Sequence, residues 1–167
     1  MKICVIAVGN VKDRFYKEAV SEYAKRISRF CDFEMMETKE EKIPDHAGES
    51  IIAQIKKAEM ENINKKLALL DSQKAVRKYI AVALDIKGKS LDSVAFAKKL
   101  EDYMSLGNPN ICFIIGGSLG LHDDILKKAD LRLSLSVMTF PHVLARVILA
   151  EQIYRAFKII NGQKYHK

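Results

Sequence analysis

The sequence contains no apolar run long enough to cross a membrane. Its most apolar stretch, VLARVILA, is interrupted by Arg146 and falls well short of the roughly 18 residues that a transmembrane helix needs. The opening MKICVIAVG runs directly into charged residues and has no small-residue cleavage site, so it does not match a signal peptide. We therefore interpret it as a first β-strand and expect a cytoplasmic protein.

Cysteine is scarce, and the histidines are not clustered. The chain has 3 cysteines, an odd number without paired spacing, and each lies in an apolar run: Cys4, Cys31 and Cys112. This pattern predicts free, buried thiols in a reducing compartment rather than a disulfide framework. The 4 histidines form no CxxC, HxH or HExxH pattern, so the sequence predicts no metal site.

The common phosphate-binding motifs are also missing. No GxxxxGK[ST] string is present, and the first strand–helix turn, VGNVKD, has one glycine where a dinucleotide-binding fold has GxGxxG. The glycine-rich GGSLG segment at 116–120 instead follows a late strand. These absences argue against a dehydrogenase or a kinase, although the glycines still leave two interpretations: a bare wall for a ligand, or a tight turn alone.

The chain is basic overall, with 28 Lys and Arg against 21 Asp and Glu and a net charge of +7. Residues 141–167 contain a single acid, Glu151, whereas the basic residues there are Arg146, Arg155, Lys158, Lys164 and Lys167. Such a surplus favours a polyanionic partner such as RNA without establishing one. On charge alone, a noncatalytic RNA-binding or ribosome-binding protein remains an alternative.

Apolar runs of strand length recur along the chain. They are ICVIAVG (3–9), FCDFEMME (30–37), YIAVALD (79–85), ICFIIG (111–116) and LRLSLS (131–136). The first, third and fourth runs are almost continuously apolar, as is typical of strands buried on both faces of a parallel sheet.

Helical patterns alternate with these runs. They span about 13–28, 50–70, 90–104 and 141–161, and Ser50 and Ser90 are candidate N-caps. The polar segment 38–50 predicts a loop. We therefore expect an α/β fold, a mostly parallel sheet flanked by helices, in a single domain over 1–167.

The last helix has the most distinct sequence pattern. It begins at Pro141, stops at Asn161-Gly162, and has a broad apolar face made of Val143, Leu144, Val147, Ile148, Leu149, Ala150, Tyr154 and Phe157. This face is wider than one side of a small sheet covers. The sequence therefore predicts a homodimer through this helix.

Ligands of open parallel sheets bind beyond the carboxyl ends of the strands, where this sequence has three distinctive segments. They are Leu84-Asp85, the GGSLG turn and the loop 134–140. Unpaired backbone groups and apolar side chains in the loop suit a flat heterocycle such as adenine. His142 and Arg146 follow on one helix face, although Arg146 equally fits a packed side chain paired with Glu151 or a partner carboxylate.

Three segments together resemble the SPOUT (trefoil-knotted) methyltransferases. The segments are MKICVIAVG, IIGGSLGLHDDI and LSLSVMTFPHVLARVILAEQIYRAFKIINGQKYHK. Within that family they are most similar to the enzymes that methylate N3 of a pseudouridine in 23S ribosomal RNA. The resemblance implies a C-terminal trefoil knot, an S-adenosylmethionine cofactor and a ribosomal RNA substrate on the assembled ribosome. It also implies a homodimer in which the tail of one subunit approaches the cofactor of its partner.

The resemblance also implies which residues hold the cofactor: Leu84, Gly116, Gly117, Leu135, Ser136, Val137, Met138, Thr139 and Phe140. Methylation of an imide nitrogen requires alignment of the reactants and removal of the N3 proton. Our hypothesis is that His142 or His166 takes this proton, because histidine has a suitable pKa of about 6.5. Arg146 would stabilise the imide anion, and Tyr165 would stack on a base or hydrogen-bond to it.

Overall fold

The computed structural model describes residues 1–71, 79–106 and 110–165. Its strands are β1 (Lys2–Val8), β2 (Asp32–Thr38), β3 (Tyr79–Ser90), β4 (Asn110–Ile115) and β5 (Leu131–Ser134). Its helices are α1 (Arg14–Ile27), α2 (Glu49–Asp71), α3 (Ser93–Ser105), α4 (Asp123–Lys128) and α5 (His142–Ile160). The alternation of strands and helices confirms the predicted α/β class.

The strands form one parallel five-stranded sheet in the order β2-β1-β4-β3-β5. The three central strands are the three runs with nearly continuous apolar character. In β1, alternate residues face opposite sides: Ile3 and Val5 belong to one core cluster, while Cys4 and Ile6 belong to the other. Both faces of the central strands are therefore buried, as the sequence predicts.

Each face of the sheet is covered by helices. On one face, Ile27 of α1, Phe96 of α3 and Phe157 of α5 join the core. On the other face, Ile63 of α2 and Ile125 of α4 close the second core. The result is a three-layer arrangement that leaves the carboxyl ends of the strands as the place for a site.

Helix α5 packs on the sheet with α1 and α3 as its neighbours. Its buried stripe differs from the predicted one and consists of Arg146, Leu149, Ala150, Ile153, Ala156 and Phe157. No residue of 142–160 is exposed. Since helices of the same chain cover much of its breadth, the apolar face does not by itself require a second subunit, and the homodimer remains a prediction.

Both predicted N-caps are wrong. Ser50 lies inside α2, which begins at Glu49. Ser90 is the last residue of β3, where it is still in register with Ser134 of β5. Because pairing with β5 keeps the chain extended to that point, the cap of α3 falls to Asp92, whose carboxylate accepts a hydrogen bond of 2.7 Å from the Ala95 amide.

The remaining expectations for the fold have mixed outcomes. All three cysteines are free, with Cys4 and Cys112 buried and Cys31 half-buried. Within the described ranges, no helix is both long and apolar enough to span a bilayer. The trefoil knot and the single-domain assignment remain predictions.

Candidate active site

A cavity of about 720 Å³ lies at the carboxyl ends of β3, β4 and β5. The three segments that the sequence singled out separately, around Leu84, Gly116 and Ser136, line it together. Its volume lies within the range of roughly 300–1,000 Å³ that is usual for small-molecule sites. The structure therefore joins three distant parts of the chain into one pocket.

Nearly all of the predicted cofactor residues line this cavity. They are Leu84, Gly116, Gly117, Leu135, Ser136, Met138, Thr139 and Phe140. The exception is Val137, whose side chain is 85% exposed. The cavity is also lined by residues outside the predicted cofactor set, namely Ile86, Ile115, Ser118, Leu119, Gly120, Leu121, Leu133, Pro141 and Ala145. Most of these adjoin predicted residues, so sequence proximity was the available signal.

The glycine-rich segment after β4 is both a tight turn and a bare wall of the cavity, the two interpretations that the sequence left open. A Cβ on Gly116 would lie 2.7 Å from the backbone carbon of Gly120, and Gly120 itself has a φ of +75°. The Gly120 amide donates a 3.0 Å hydrogen bond to the Gly117 carbonyl, which closes the turn. The missing side chains thus allow the reversal and also leave bare backbone at the cavity wall.

Serine side chains brace the loop that forms the other wall. The Ser134 hydroxyl donates to the Ser136 carbonyl at 2.9 Å, and the Ser136 hydroxyl accepts from the Met138 amide at 3.0 Å. Met138 is 70% exposed. The loop is therefore held by its own polar groups, while large apolar side chains stand at the rim of the cavity.

An ion pair links the middle of β3 to the start of β5 beside the cavity. The guanidinium of Arg132 donates to the carboxylate of Asp85, with an Nε–Oδ2 distance of 2.9 Å. Here β3 shifts its register relative to β5 between Leu84 and Lys89. A Cβ on Gly88 would lie 2.7 Å from the Arg132 backbone, so glycine is required where β3 and β5 approach each other.

His142 begins α5 and lines the cavity. Its Nε2 lies 4.0 Å from a carboxylate oxygen of Glu40, whose other oxygen accepts a 3.3 Å hydrogen bond from the Ser118 hydroxyl. Burial lowers the pKa of His142, the charge of Glu40 opposes that effect, and Arg146 adds to it. A neutral imidazole facing the cavity is a suitable proton acceptor.

Arg146 is fully buried and does not line the cavity. Its Nη1 donates to Glu37 at 2.8 Å, and its Nη2 donates to the carbonyls of Val8 and Gly9 at 2.6 and 2.8 Å. The side chain thus links α5 to the carboxyl ends of β1 and β2. This geometry fits the interpretation of Arg146 as a packed side chain paired with a carboxylate. The carboxylate is that of Glu37, however, and not that of Glu151.

Glu151 instead pairs with Arg155 at 2.6 Å. It also accepts a hydrogen bond from the hydroxyl of Tyr165 at 3.2 Å, and burial raises the pKa of Tyr165 to about 12. Glu151 follows His142 by nine positions in α5, which is about 13.5 Å along the axis at 1.5 Å per residue. Within one protomer, Tyr165 is therefore not brought to the cavity. His166 lies outside the described residues.

Sequence reasoning missed Glu59, a buried carboxylate of α2. It is 4% exposed, and a Cβ on Gly117 would lie 3.1 Å from each of its carboxylate oxygens. Burial raises the pKa of Glu59. Because α2 is rich in Lys and Glu, its sequence gave no signal that one of these carboxylates turns inward.

A second cavity of about 290 Å³ lies between α3, β5 and α5 and shares Leu133 and Leu135 with the first. Its polar side chains are already engaged. Asp92 caps α3, and the Ser93 hydroxyl donates to Gln152 at 2.8 Å. Within the parts of the chain that the structure describes, no group of three or more metal-ligating side chains is present. The larger cavity is therefore the better candidate for chemistry.

Comparison with known proteins gives matches over the full chain. The family described as "Predicted SPOUT methyltransferase" matches residues 1–166. A protein of Ruminiclostridium cellulolyticum is 49% identical and one of Acetivibrio thermocellus is 44% identical, each over 167 residues and 100% of both chains. Both are named ribosomal RNA large subunit methyltransferase H.

Solved structures share the fold at low sequence identity. "A probable methylase family protein" from Haemophilus influenzae Rd KW20 has a TM-score of 0.53 and 15% identity, covering 99% of this chain and 70% of its own. The SpoU methyltransferase AviRb from Streptomyces viridochromogenes, in complex with the cofactor AdoMet, has a TM-score of 0.50 and 9% identity, covering 97% and 61%. With the family match over nearly every residue, the chain belongs to the SPOUT methyltransferase family.

Proposed function

We propose that this protein transfers the methyl group of S-adenosylmethionine to N3 of a pseudouridine in 23S ribosomal RNA. The observation that carries the proposal is the single cavity in which the three predicted strand-end segments meet. The relatives named for methylation of large-subunit ribosomal RNA, at 44–49% identity over their full length, support the RNA substrate. Pseudouridine N3 comes from the resemblance of the sequence.

The residues of the cavity fit the proposed cofactor. Leu84, Ile115 and Leu135 offer apolar surface for an adenine ring, and the bare backbone of Gly116 and Gly117 permits close approach. S-adenosylmethionine, when bound, supplies an activated methyl group on a positively charged sulfur. The protein then has to orient the two reactants, exclude water and accept the proton of the imide.

His142 is the described residue best placed to accept that proton. It lines the cavity, and burial keeps its imidazole neutral to lower pH than an exposed histidine. Arg146 is assigned a positioning role, because its contacts with Glu37 and the β1 carbonyls hold the first turns of α5 in place. To stabilise the imide anion directly, as the sequence hypothesis has it, Arg146 would have to leave these partners.

The complete site is proposed to form in a homodimer. The Tyr165 hydroxyl contacts Glu151 in the second half of α5, away from the cavity of its own protomer. The exposed side chains of Val137 and Met138 provide apolar surface at the rim for a second copy to cover. In this arrangement, the tail of one subunit, with Tyr165 and His166, completes the site of its partner.

RNA binding is proposed to rest on the surplus of positive charge, +7 over the chain. Contacts with Z phosphates give a log–log salt slope of roughly −0.7Z to −0.9Z. Shape recognition of the assembled ribosome in the cytoplasm is the mode of substrate recognition that we favour.

Mass spectrometry of ribosomal RNA tests the biological assignment. Cells that lack this gene should yield 23S ribosomal RNA in which one pseudouridine has lost a methyl group at N3. Restoring the gene should restore the modification, whereas a His142→Ala copy should restore much less. An unchanged set of modified nucleotides in the deletion strain would contradict the proposed substrate.

A further inference from the structure

Glu59 is a buried carboxyl group that the reaction described above does not use. The residue is 4% exposed, and its carboxylate accepts a 3.3 Å hydrogen bond from the Glu41 amide. Among residues 1–71, 79–106 and 110–165, no lysine, arginine or histidine forms an ion pair with it. An ionised carboxylate is costly to bury without a cationic partner.

The charges that surround Glu59 do not offset its own. Burial is the largest influence on its pKa and raises it, the carboxylates of Glu40 and Glu41 raise it further, and only Lys56 and the Glu41 amide act in the opposite direction. Acidic side chains thus outnumber basic ones around the buried Glu59 carboxyl group. Such a position is more often found at a functional site than elsewhere in a fold.

The position of Glu59 directs this charge toward the cavity. Gly117 lines the cavity and also lies against Glu59, since a Cβ on Gly117 would stand 3.1 Å from both carboxylate oxygens. The backbone of Gly117 therefore separates the carboxylate from the cavity. Through such a thin and poorly solvated layer, charges interact far more strongly than they do in water.

We propose that Glu59 is a specificity-determining residue whose negative charge favours the cationic methyl donor over the neutral thioether product. The inference rests on the proposed function, because it requires the cavity to bind S-adenosylmethionine. Donor and product share the adenosine and amino-acid groups and differ only in one methyl group and one positive charge at sulfur. When the methyl leaves, the sulfur keeps the bonding electron pair and becomes neutral, so the attraction of Glu59 for that atom ends and product release is favoured.

Calorimetric titration of the full-length protein tests this charge discrimination. Glu59→Gln preserves the size of the side chain and its acceptor oxygen for the Glu41 amide, but it removes the charge. We expect about tenfold weaker binding of S-adenosylmethionine and less than twofold change for S-adenosylhomocysteine, as follows from loss of one short-range charge interaction. Sinefungin, in which a carbon bearing a protonated amine replaces the methylated sulfur, should follow the methyl donor.

Matched variants separate charge from structure. Glu61→Gln changes an exposed carboxylate two positions along the same helix and should alter neither affinity. Glu59→Asp retains the charge and should keep more of the preference for the donor than Glu59→Gln does. Glu59→Met supplies a second neutral side chain if Glu59→Gln does not fold, with folding checked by thermal unfolding.

The outcomes are distinguishable from one another. Equal weakening of donor and product in the neutral variants would overturn the inference and assign Glu59 to holding the glycine turn. No change for either ligand would overturn it as well. Failure of the wild-type protein to bind either compound would instead count against the proposed cofactor, and hence against the proposed function.

Discussion

Glu40 lies between two side chains that line the cavity, His142 and Ser118. Its negative charge raises the pKa of His142 against the lowering effects of burial and of Arg146. Glu40→Gln should therefore lower the pKa of His142 further, and the acid limb of the methylation rate should move to lower pH. The pKa can be measured from the NMR titration of the His142 ring. An upward shift, or none, would contradict the role given to Glu40.

We expect Arg146 to contribute mainly to the stability of the fold and not directly to methyl transfer. Arg146→Ala removes the guanidinium donor from the carbonyls of Val8 and Gly9 and from the Glu37 carboxylate, which keeps its 2.9 Å hydrogen bond from the Val11 amide. Because Glu37 is partly exposed, we expect the low end of the cost of breaking a buried ion pair, about 3 kcal/mol, in the free energy of unfolding measured with urea.

The matched control for Arg146 is Arg14→Ala, which removes an exposed i,i+4 pair with Glu18. Such surface pairs contribute at most about 1 kcal/mol, so this variant should unfold close to the wild-type urea midpoint. If Arg146→Ala were as stable as Arg14→Ala, the guanidinium would not hold α5 to the ends of β1 and β2.

At the scale of elements, the glycine turn after β4 is predicted to shape the cofactor site. Gly116→Ala places a Cβ 2.7 Å from the backbone of Gly120 and must displace the turn. We expect more than tenfold weaker binding of S-adenosylmethionine by calorimetry. Gly48→Ala is the control, since a Cβ there meets nothing within 4 Å. Equal affinities for the two variants would show that the turn does not define the site.

The elements also show what sequence patterns can and cannot predict. Continuous apolar character identified β1, β3 and β4 as the central strands, because burial on both faces leaves that signature in the sequence itself. The cap of α3 at Asp92 was missed because it depends on how far β3 pairs with β5. The local sequence pattern predicts which segments form strands, whereas pairing between distant segments determines where those strands end.

For the candidate site as well, the sequence predicted some residues and missed others. Strand-end segments and the resemblance together predicted most of the cavity wall, since the carboxyl ends of parallel strands meet at one edge. Glu59 was missed because an inward-facing carboxylate in a Lys/Glu-rich helix looks like its solvated neighbours. The burial of Arg146 was left open, because four-residue spacing to His142 does not reveal which side chain faces the cavity.

At the scale of the whole molecule, the central prediction is a homodimer with shared sites. Sedimentation equilibrium should give about twice the 18.9 kDa mass of the chain. Tyr165→Ala and Gly116→Ala should each be poorly active alone. After subunit exchange, the mixture should regain activity, because one site of the heterodimer then combines an intact cavity with an intact tail. A monomer, or a mixture without regained activity, would contradict the shared site.

Methyl transfer to ribosomes tests the central claim most directly, because it requires the cavity, the cofactor and the RNA substrate at once. Ribosomes from cells lacking this gene would be incubated with the purified protein and S-adenosylmethionine labelled in its methyl group, and the 23S ribosomal RNA would then be digested to nucleosides. We expect label in N3-methylpseudouridine, and strongly reduced label with His142→Ala. Label in another nucleoside, or none from a protein that binds the cofactor, would contradict it.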